Sequence, residues 1–306
     1  MLESVLVPLD GSEFSEHTLP FATAVARASG AQILLAHVHV PHPPEDLLLN
    51  PQFQFQGVDM EEYEERYRSE EEEYLKGLAE RLAEEVGKPV TQTLLEGEVS
   101  SAIERALEAS HADMILMSTH GRTGLSRFWL GSVADELVRH VSVPVLLVPP
   151  MDGKTREMAD RGFRHVLVPL DGSELGESIL EPAIELGTRW DAKFTLLHVV
   201  PTGRMVGART YPIPMGHLED RRDRAREYLA TVSEKLQARG LEVSSKVVDH
   251  SSPARAILLV AESDGVDLIA LSTHGHRRLT RAVLGSVADK VVRGTSVPVL
   301  VKKPAQ

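Results

Sequence analysis

The sequence predicts an α/β fold of two doubly wound domains, and three observations lead there. Blocks recur in the same order: "LVPLDGSE" at 6–13 and 167–174, "LGSVAD" at 130–135 and 284–289, "SVPVL" at 142–146 and 296–300. A repeat of whole blocks in fixed order means one domain present twice. Within each copy, short continuously apolar runs alternate with longer stretches of helical period, the pattern of parallel strands covered on both faces. Right-handed crossovers then reduce the topologies to a few doubly wound arrangements.

The elements follow from these patterns. In the first copy strands are expected near Ser4–Leu9, Gln32–Val40, Val90–Leu95, Asp113–Ser118 and Pro144–Val148. Helices are expected near Ser15–Ala28, Glu61–Glu85, Ser100–Ser110 and Ser132–Val141. The second copy places strands at His165–Leu170, Lys193–Val200, Glu242–Val248, Asp267–Ser272 and Pro298–Val301. Pro20 and Pro182 fall early in their helix, where a missing N–H costs least. In the acidic run "EEYEERYRSEEEEYLKGLAERLAEEV", Tyr67, Tyr74, Leu75, Leu78 and Leu82 mark the buried stripe and the charges its solvated face. The stretches 41–60 and 201–217 differ in length and composition between copies and read as irregular connections. Domains of 1–150 and 162–306 result, joined by a linker at 151–161 that carries Gly153 and a mixed charge run.

Composition excludes several classes. The 306 residues include no cysteine, so disulfides and thiolate metal sites are absent. A formal net charge of −12 argues against sequence-independent binding of nucleic acid, which needs a basic face. No apolar run approaches the roughly 20 residues of a membrane span. The start "MLESVLVPLDGSE" enters a strand directly and lacks the order of a secretory signal, so a cytoplasmic protein is expected.

The repeated blocks carry the chemistry. Phosphate needs donors without bulk: glycines let backbone N–H groups approach, and a helix N-terminus adds its dipole. Gly121 and Gly124 can supply an open loop, and Gly131-Ser132 then enters a helix, with Ser132 suited to the N-cap and Asp135 to a capping-box partner. Gly285, Ser286 and Asp289 repeat the arrangement. A Gly-Ser pair also starts many helices that bind nothing. Asp10 and Asp171 stand just beyond the first strand of each copy, where ligands of doubly wound sheets sit. There a carboxylate would accept from sugar hydroxyls or an amine while the glycine loop takes phosphates. An isolated Asp-Gly-Ser is equally a turn and helix cap.

These residues together resemble the universal stress protein family, over the whole chain and copy by copy. ATP-binding members of that family carry Gly, two residues, Gly, nine residues, then Gly followed by Ser or Thr. The first copy matches with Gly121, Gly131 and Ser132, the second with Gly275, Gly285 and Ser286, while Ser118 and Ser272 replace the opening glycine. The resemblance implies a five-stranded parallel sheet in the order 3-2-1-4-5, ATP with or without Mg2+, and a nucleotide between strands 1 and 4. It assigns the adenosine end to Pro8, Asp10 and Val38, and in the second copy to Pro169, Asp171 and Val199. It assigns the phosphates to Ser118, Gly121, Arg122, Gly124, Gly131, Ser132 and Val133, and to Ser272, Gly275, His276, Gly285, Ser286 and Val287. It further implies that the fifth strands of the two halves pair within the chain, and that two chains associate as a homodimer.

The copies diverge inside the loop. "GRTGLSR" becomes "GHRRLTR", so Gly124 corresponds to Arg278, and the second copy gains His276 and Arg277. If that position needs φ > 0, arginine is penalised by roughly 1 kcal/mol, so the first copy is expected to be the better-formed site.

Competing chemistries lack their signatures. There is no Gly-x-x-x-x-Gly-Lys-Ser/Thr, no Gly-x-Gly-x-x-Gly after the first strand, and no Gly-x-Ser-x-Gly. His37 and His39 share one face of the second strand with His42 nearby, but no carboxylate cluster accompanies them in the sequence and no metal is expected. His120 and His274 are read as orienting the loop. No catalytic constellation stands out, so a regulatory ATP-binding protein is the first reading. A nucleotide-free scaffold of the same fold is the second, and a slow ATPase the third.

Overall fold

The computed structural model describes residues 2–41, 60–119, 130–151, 153–206, 209–212, 214–273 and 284–304, with backbone alone at 204–206, 209–212 and 215. The first half runs β1 (Ser4–Leu9), α1 (Glu13–Glu16), α2 (Leu19–Ser29), β2 (Gln32–His39), α3 (Met60–Val86), β3 (Thr91–Glu96), α4 (Val99–Ser110), β4 (Met114–Ser118), α5 (Ser132–His140) and β5 (Val145–Val148). A short helix α6 (Thr155–Arg161) leads to the second half. That half runs β6 (His165–Pro169), α7 (Glu174–Glu177), α8 (Leu180–Gly187), β7 (Lys193–Pro201), β8 (Gly203–Val206), β9 (Arg209–Pro212), α9 (Met215–Gln237), β10 (Val243–His250), α10 (Pro253–Ser263), β11 (Leu268–Ser272), α11 (Ser286–Gly294) and β12 (Val299–Lys302).

Each half has the strand order 3-2-1-4-5, with parallel neighbours throughout. The fifth strands then join antiparallel, Val145 opposite Val301 and Leu147 opposite Val299, giving one ten-stranded sheet. Pairing within the chain removes two exposed sheet edges, each an open template for association. The side chains of successive residues alternate between the two faces, and a separate apolar core covers each. One core holds Val5, Val7, Leu146, Phe163, Val166 and Leu300; the other holds Leu6, Leu147, Leu167, Ile269 and Val299. Both cores cross from one half to the other.

The connection between halves is part of the packing. Ala159 of α6 is buried, and Phe163 beyond it stacks on Phe21 of the first half with ring centroids 5.7 Å apart. Trp190 meets Phe163 edge-on at 5.2 Å. Full burial of a phenylalanine contributes about 1.5–3 kcal/mol, so Phe163 helps hold the halves together.

Two local outcomes depart from the sequence expectation. The helix expected over Ser15–Ala28 is two: α1 ends at Glu16 and α2 starts at Leu19, with Pro20 in its first turn. A proline ring clashes with the carbonyl four residues earlier, so a helix through residue 16 cannot continue past Pro20. Pro182 likewise falls in the first turn of α8, five residues past the end of α7. The second departure is the antiparallel hairpin of β8 and β9 within the connection read as irregular. Among the described residues no helix is long and apolar enough to cross a membrane.

Candidate functional site

The C-terminal ends of the parallel strands gather most of the residues singled out in the sequence. β1 lies between β2 and β4, so the chain leaves β1 and β4 in opposite directions at this edge. Ligands of doubly wound sheets bind at such a switch point. In the first half this edge carries Pro8 near the end of β1, Asp10 just after it, Val38 near the end of β2, Ser118 at the end of β4, and Gly131, Ser132 and Val133 at the N-terminus of α5. In the second half Pro169, Asp171, Val199, Ser272, Gly285, Ser286 and Val287 hold the matching places. Gly121, Arg122, Gly124, Gly275 and His276 lie outside the described residues, as do His42, His120, His274, Arg277 and Arg278.

The aspartates build the turns after the first strands. Asp10 Oδ1 accepts from Ser12 N at 3.0 Å and from Ser12 Oγ at 2.6 Å. Ser12 in turn caps α1 by accepting from Ser15 N at 3.2 Å. Gly11 between them has φ 76°, a left-handed conformation that glycine adopts without strain. Asp171 and Ser173 repeat the turn with contacts of 3.1 and 2.6 Å, and Ser173 caps the Gly176 amide. Asp10 is partly buried whereas Asp171 is exposed.

The phosphate-side helix begins differently from the sequence expectation. The N-cap of α5 is Gly131 and that of α11 is Gly285, so Ser132 and Ser286 are the first helical residues. Asp135 pairs with Arg139 at 2.6 Å, and Asp289 with Arg293 at 2.7 Å, each one turn along its own helix. A capping box is therefore not formed. The reason is steric: Gly285 donates its N–H to the Thr273 carbonyl at 2.9 Å, and a Cβ there would lie 2.4 Å from that oxygen. Gly131 makes the same bond to Thr119 at 2.8 Å. A glycine N-cap has no side chain to offer the first-turn amides, which keep the positive end of the helix dipole available to an anion. Ser132 and Ser286 are exposed there.

The third-strand ends differ between halves. Glu98 caps α4 through Ser100 N at 3.1 Å and Ser101 N at 2.8 Å; the Ser101 hydroxyl at 2.7 Å, with these amides, holds its carboxyl below the usual range. At the equivalent turn His250 Nδ1 accepts from Ser252 N at 2.9 Å. Ser100 Oγ also donates to Glu136 of α5 at 2.7 Å, tying the two helices together.

One cluster escaped the sequence reading. His37 and His39 are buried against α3, where Glu71 and Glu64 meet them, so carboxylates do accompany these histidines. The glutamates sit 25 to 34 residues away in an acidic run, and only the helix's docking on β2 brings them close. Among the described residues no group of histidine and acidic side chains is arranged to hold a metal ion. Tyr74 lies edge-on to His37 and donates to Glu16 at 3.0 Å; burial and that carboxylate push its hydroxyl well above its ordinary value. Tyr228, His198 and Glu177 repeat this trio.

Comparison with known proteins agrees with the duplicated architecture. The profile described as universal stress protein family matches residues 1–149 and again 162–303. A universal stress protein of Mycolicibacterium smegmatis is 27% identical over 302 residues, covering 98% of this chain and 97% of that protein. One of Mycobacterium tuberculosis is 30% identical over 206 residues, 67% of this chain and 66% of its own length. A crystal structure of a universal stress protein from Archaeoglobus fulgidus superposes over the full length of both chains with a TM-score of 0.74 at 21% identity. With both halves matched and the order 3-2-1-4-5 present twice, the chain belongs to the universal stress protein family as a tandem, two-domain member.

Proposed function

We propose that the chain is an ATP-binding regulatory protein of the stress response, holding nucleotide at the switch point between the first and fourth strands of one or both domains. The observation that carries this reading is the glycine-capped helix N-terminus, pressed against the end of β4 in one half and β11 in the other. Its amides would face phosphate, Asp10 or Asp171 the ribose, and the backbone at Val38 or Val199 the base. The donors suit that division: oriented amides for an anion, a carboxylate for hydroxyls. Mg2+ would accompany the phosphates as their counter-ion. Calorimetric titration with ATP tests the reading through its stoichiometry, two or one site per chain supporting it and none overturning it. We place the protein in the cytoplasm, acting through its surface or through association of two chains rather than by turnover.

A second reading is favoured by two specific observations. Both aspartates already serve their own turns, and Gly285 is required by its contact with Thr273 whether or not a ligand binds. A scaffold without nucleotide would need both features equally. Mass spectrometry of nucleotide released from the denatured, freshly purified protein separates the two.

A further inference from the structure

The His37–His39 cluster can be read as a count of protons. His37 Nδ1 lies 2.9 Å from the Leu9 carbonyl and its Nε2 3.0 Å from Glu71 Oε1. His39 Nδ1 lies 2.6 Å from Glu71 Oε2 and its Nε2 2.5 Å from Glu64 Oε1. His37, His39 and Glu71 are 3%, 4% and 7% exposed, so water reaches the cluster only at Glu64, whose side chain is 34% exposed. Carbonyls and ionised carboxylates only accept, so each contact requires one proton. Four protons on two imidazoles and two carboxylates give a cluster of zero net charge. Removing one leaves a buried negative charge and two acceptors face to face, an arrangement that low local polarity makes unfavourable.

His39, with a carboxylate at each ring nitrogen, is the group whose positive charge the cluster is built to hold. Burial disfavours its charge, but Glu71 and Glu64 outweigh burial and hold its pKa above the ordinary 6.5. The surrounding charges are committed elsewhere: Arg68 pairs with Glu96, the β3 neighbour of His39, and Arg81 with Glu16 at 3.5 Å. Asp10 follows Leu9 and bonds to Ser12. The Tyr67 ring lies 5.8 Å from the His39 ring, and Tyr74 closes the His37 side.

The second domain solves the same packing problem without these groups. His198 and Tyr228 keep their places, but the residue two beyond the histidine is Val200, and those three and ten before the tyrosine are Ala225 and Leu218. These three form a buried apolar cluster. The fold therefore does not require a polar joint between the long helix and the second strand, and an apolar one is ordinarily at least as stable.

We propose that the first domain carries a proton sensor, in which the chain Glu64–His39–Glu71–His37 fastens the first turns of α3 to β2 while His39 is an imidazolium and loosens them when that proton leaves. A group whose pKa is raised on folding contributes fully below its unfolded value and loses its contribution as pH rises through the folded value. The fastening is complete in mild acid and lost on the alkaline side, while α9 of the second domain does not respond. The inference rests on the hydrogen-bond geometry and is independent of nucleotide.

Hydrogen exchange of the full-length protein between about pH 5 and 9, corrected for the intrinsic pH dependence of exchange, tests it. Protection across 60–71 falls by about tenfold or more as pH rises, and that of 218–225 stays constant. The triple variant His39→Val, Glu64→Leu, Glu71→Ala installs the second domain's own residues and abolishes the fall. A flat wild-type profile, or a fall that persists in the folded triple variant, overturns the proposal. Should that variant not fold, Glu64→Gln offers an amide able to donate to neutral His39, and moves the midpoint to lower pH. An unmoved midpoint overturns the proposal as well.

Discussion

Leu146 and Leu300 face each other across the antiparallel junction of β5 and β12, and both are fully buried. Each belongs to the core that also contains Val5 and Val166, in the first strands of the two halves. The junction is thus not a surface contact between finished domains but the middle of one core. Leu300→Ala removes apolar volume there and costs about 2–5 kcal/mol. Urea denaturation followed by fluorescence and circular dichroism reads it as a lower midpoint of a single coincident transition. Two separate transitions, with only the later half shifted, would contradict a shared core.

A second tie lies at the opposite edge of the sheet. Asp267, 2% exposed, accepts from His165 N at 2.8 Å and Arg164 N at 3.1 Å, and pairs with Arg161 of α6 at 3.1 Å. Asp113 does the same for Glu3 N and Ser4 N at 2.7 and 3.0 Å. Asp267→Ala strands buried amides and lowers stability by about 2–3 kcal/mol. Asp267→Asn retains one acceptor oxygen and loses less. Thermal unfolding of the two variants side by side measures the difference, and equal losses would mean the charge, not the hydrogen bonds, matters.

The doubling, the strand positions and the gathering of candidate residues at the C-terminal strand ends were legible because they are written in repeated blocks and apolar runs. The polar joint was not: Glu64 and Glu71 fall on the helical stripe of Tyr67, Tyr74 and Leu78, but carboxylates in so acidic a run read as solvated face until α3 is docked on β2. A comparison of copies held the clue, since Ala225 and Leu218 stand where Glu71 and Glu64 do. Ser132 was misplaced by one residue for a related reason: serine is the commoner N-cap, but the contact of the preceding glycine with the β4 end is tertiary. The expected asymmetry of Gly124 and Arg278 falls outside the described residues.

Gly285 gives a direct test of the close contact at the second site. A methyl group placed 2.4 Å from the Thr273 oxygen must push α11 away from β11. Gly285→Ala therefore destabilises by about 1–3 kcal/mol, as overpacking does. If both domains hold ATP as proposed, it also turns the helix N-terminus out of register with Ser272, so affinity at the second domain would fall while the first domain's is retained. Titration of wild type and variant shows this as the loss of one site from two. An unchanged isotherm with reduced stability would mean that Gly285 serves packing alone.

Asp10 separates turn-building from ligand binding more cleanly. An asparagine presents the same oxygen to Ser12 N and Ser12 Oγ, so Asp10→Asn preserves the turn and the cap of α1. Its unfolding free energy should match wild type to within about 0.5 kcal/mol. Hydrogen bonds from sugar hydroxyls to a carboxylate are roughly twice as strong as those to a neutral amide. Removing the charge should then weaken ATP at the first domain about tenfold, equivalent to about 1.4 kcal/mol. Asp171→Asn, at a more exposed carboxylate, should do less at the second domain. Calorimetry on both variants, paired with denaturation curves, decides the matter: intact stability with weakened binding assigns Asp10 to the ligand, whereas unchanged affinity in both leaves the aspartates as turn residues.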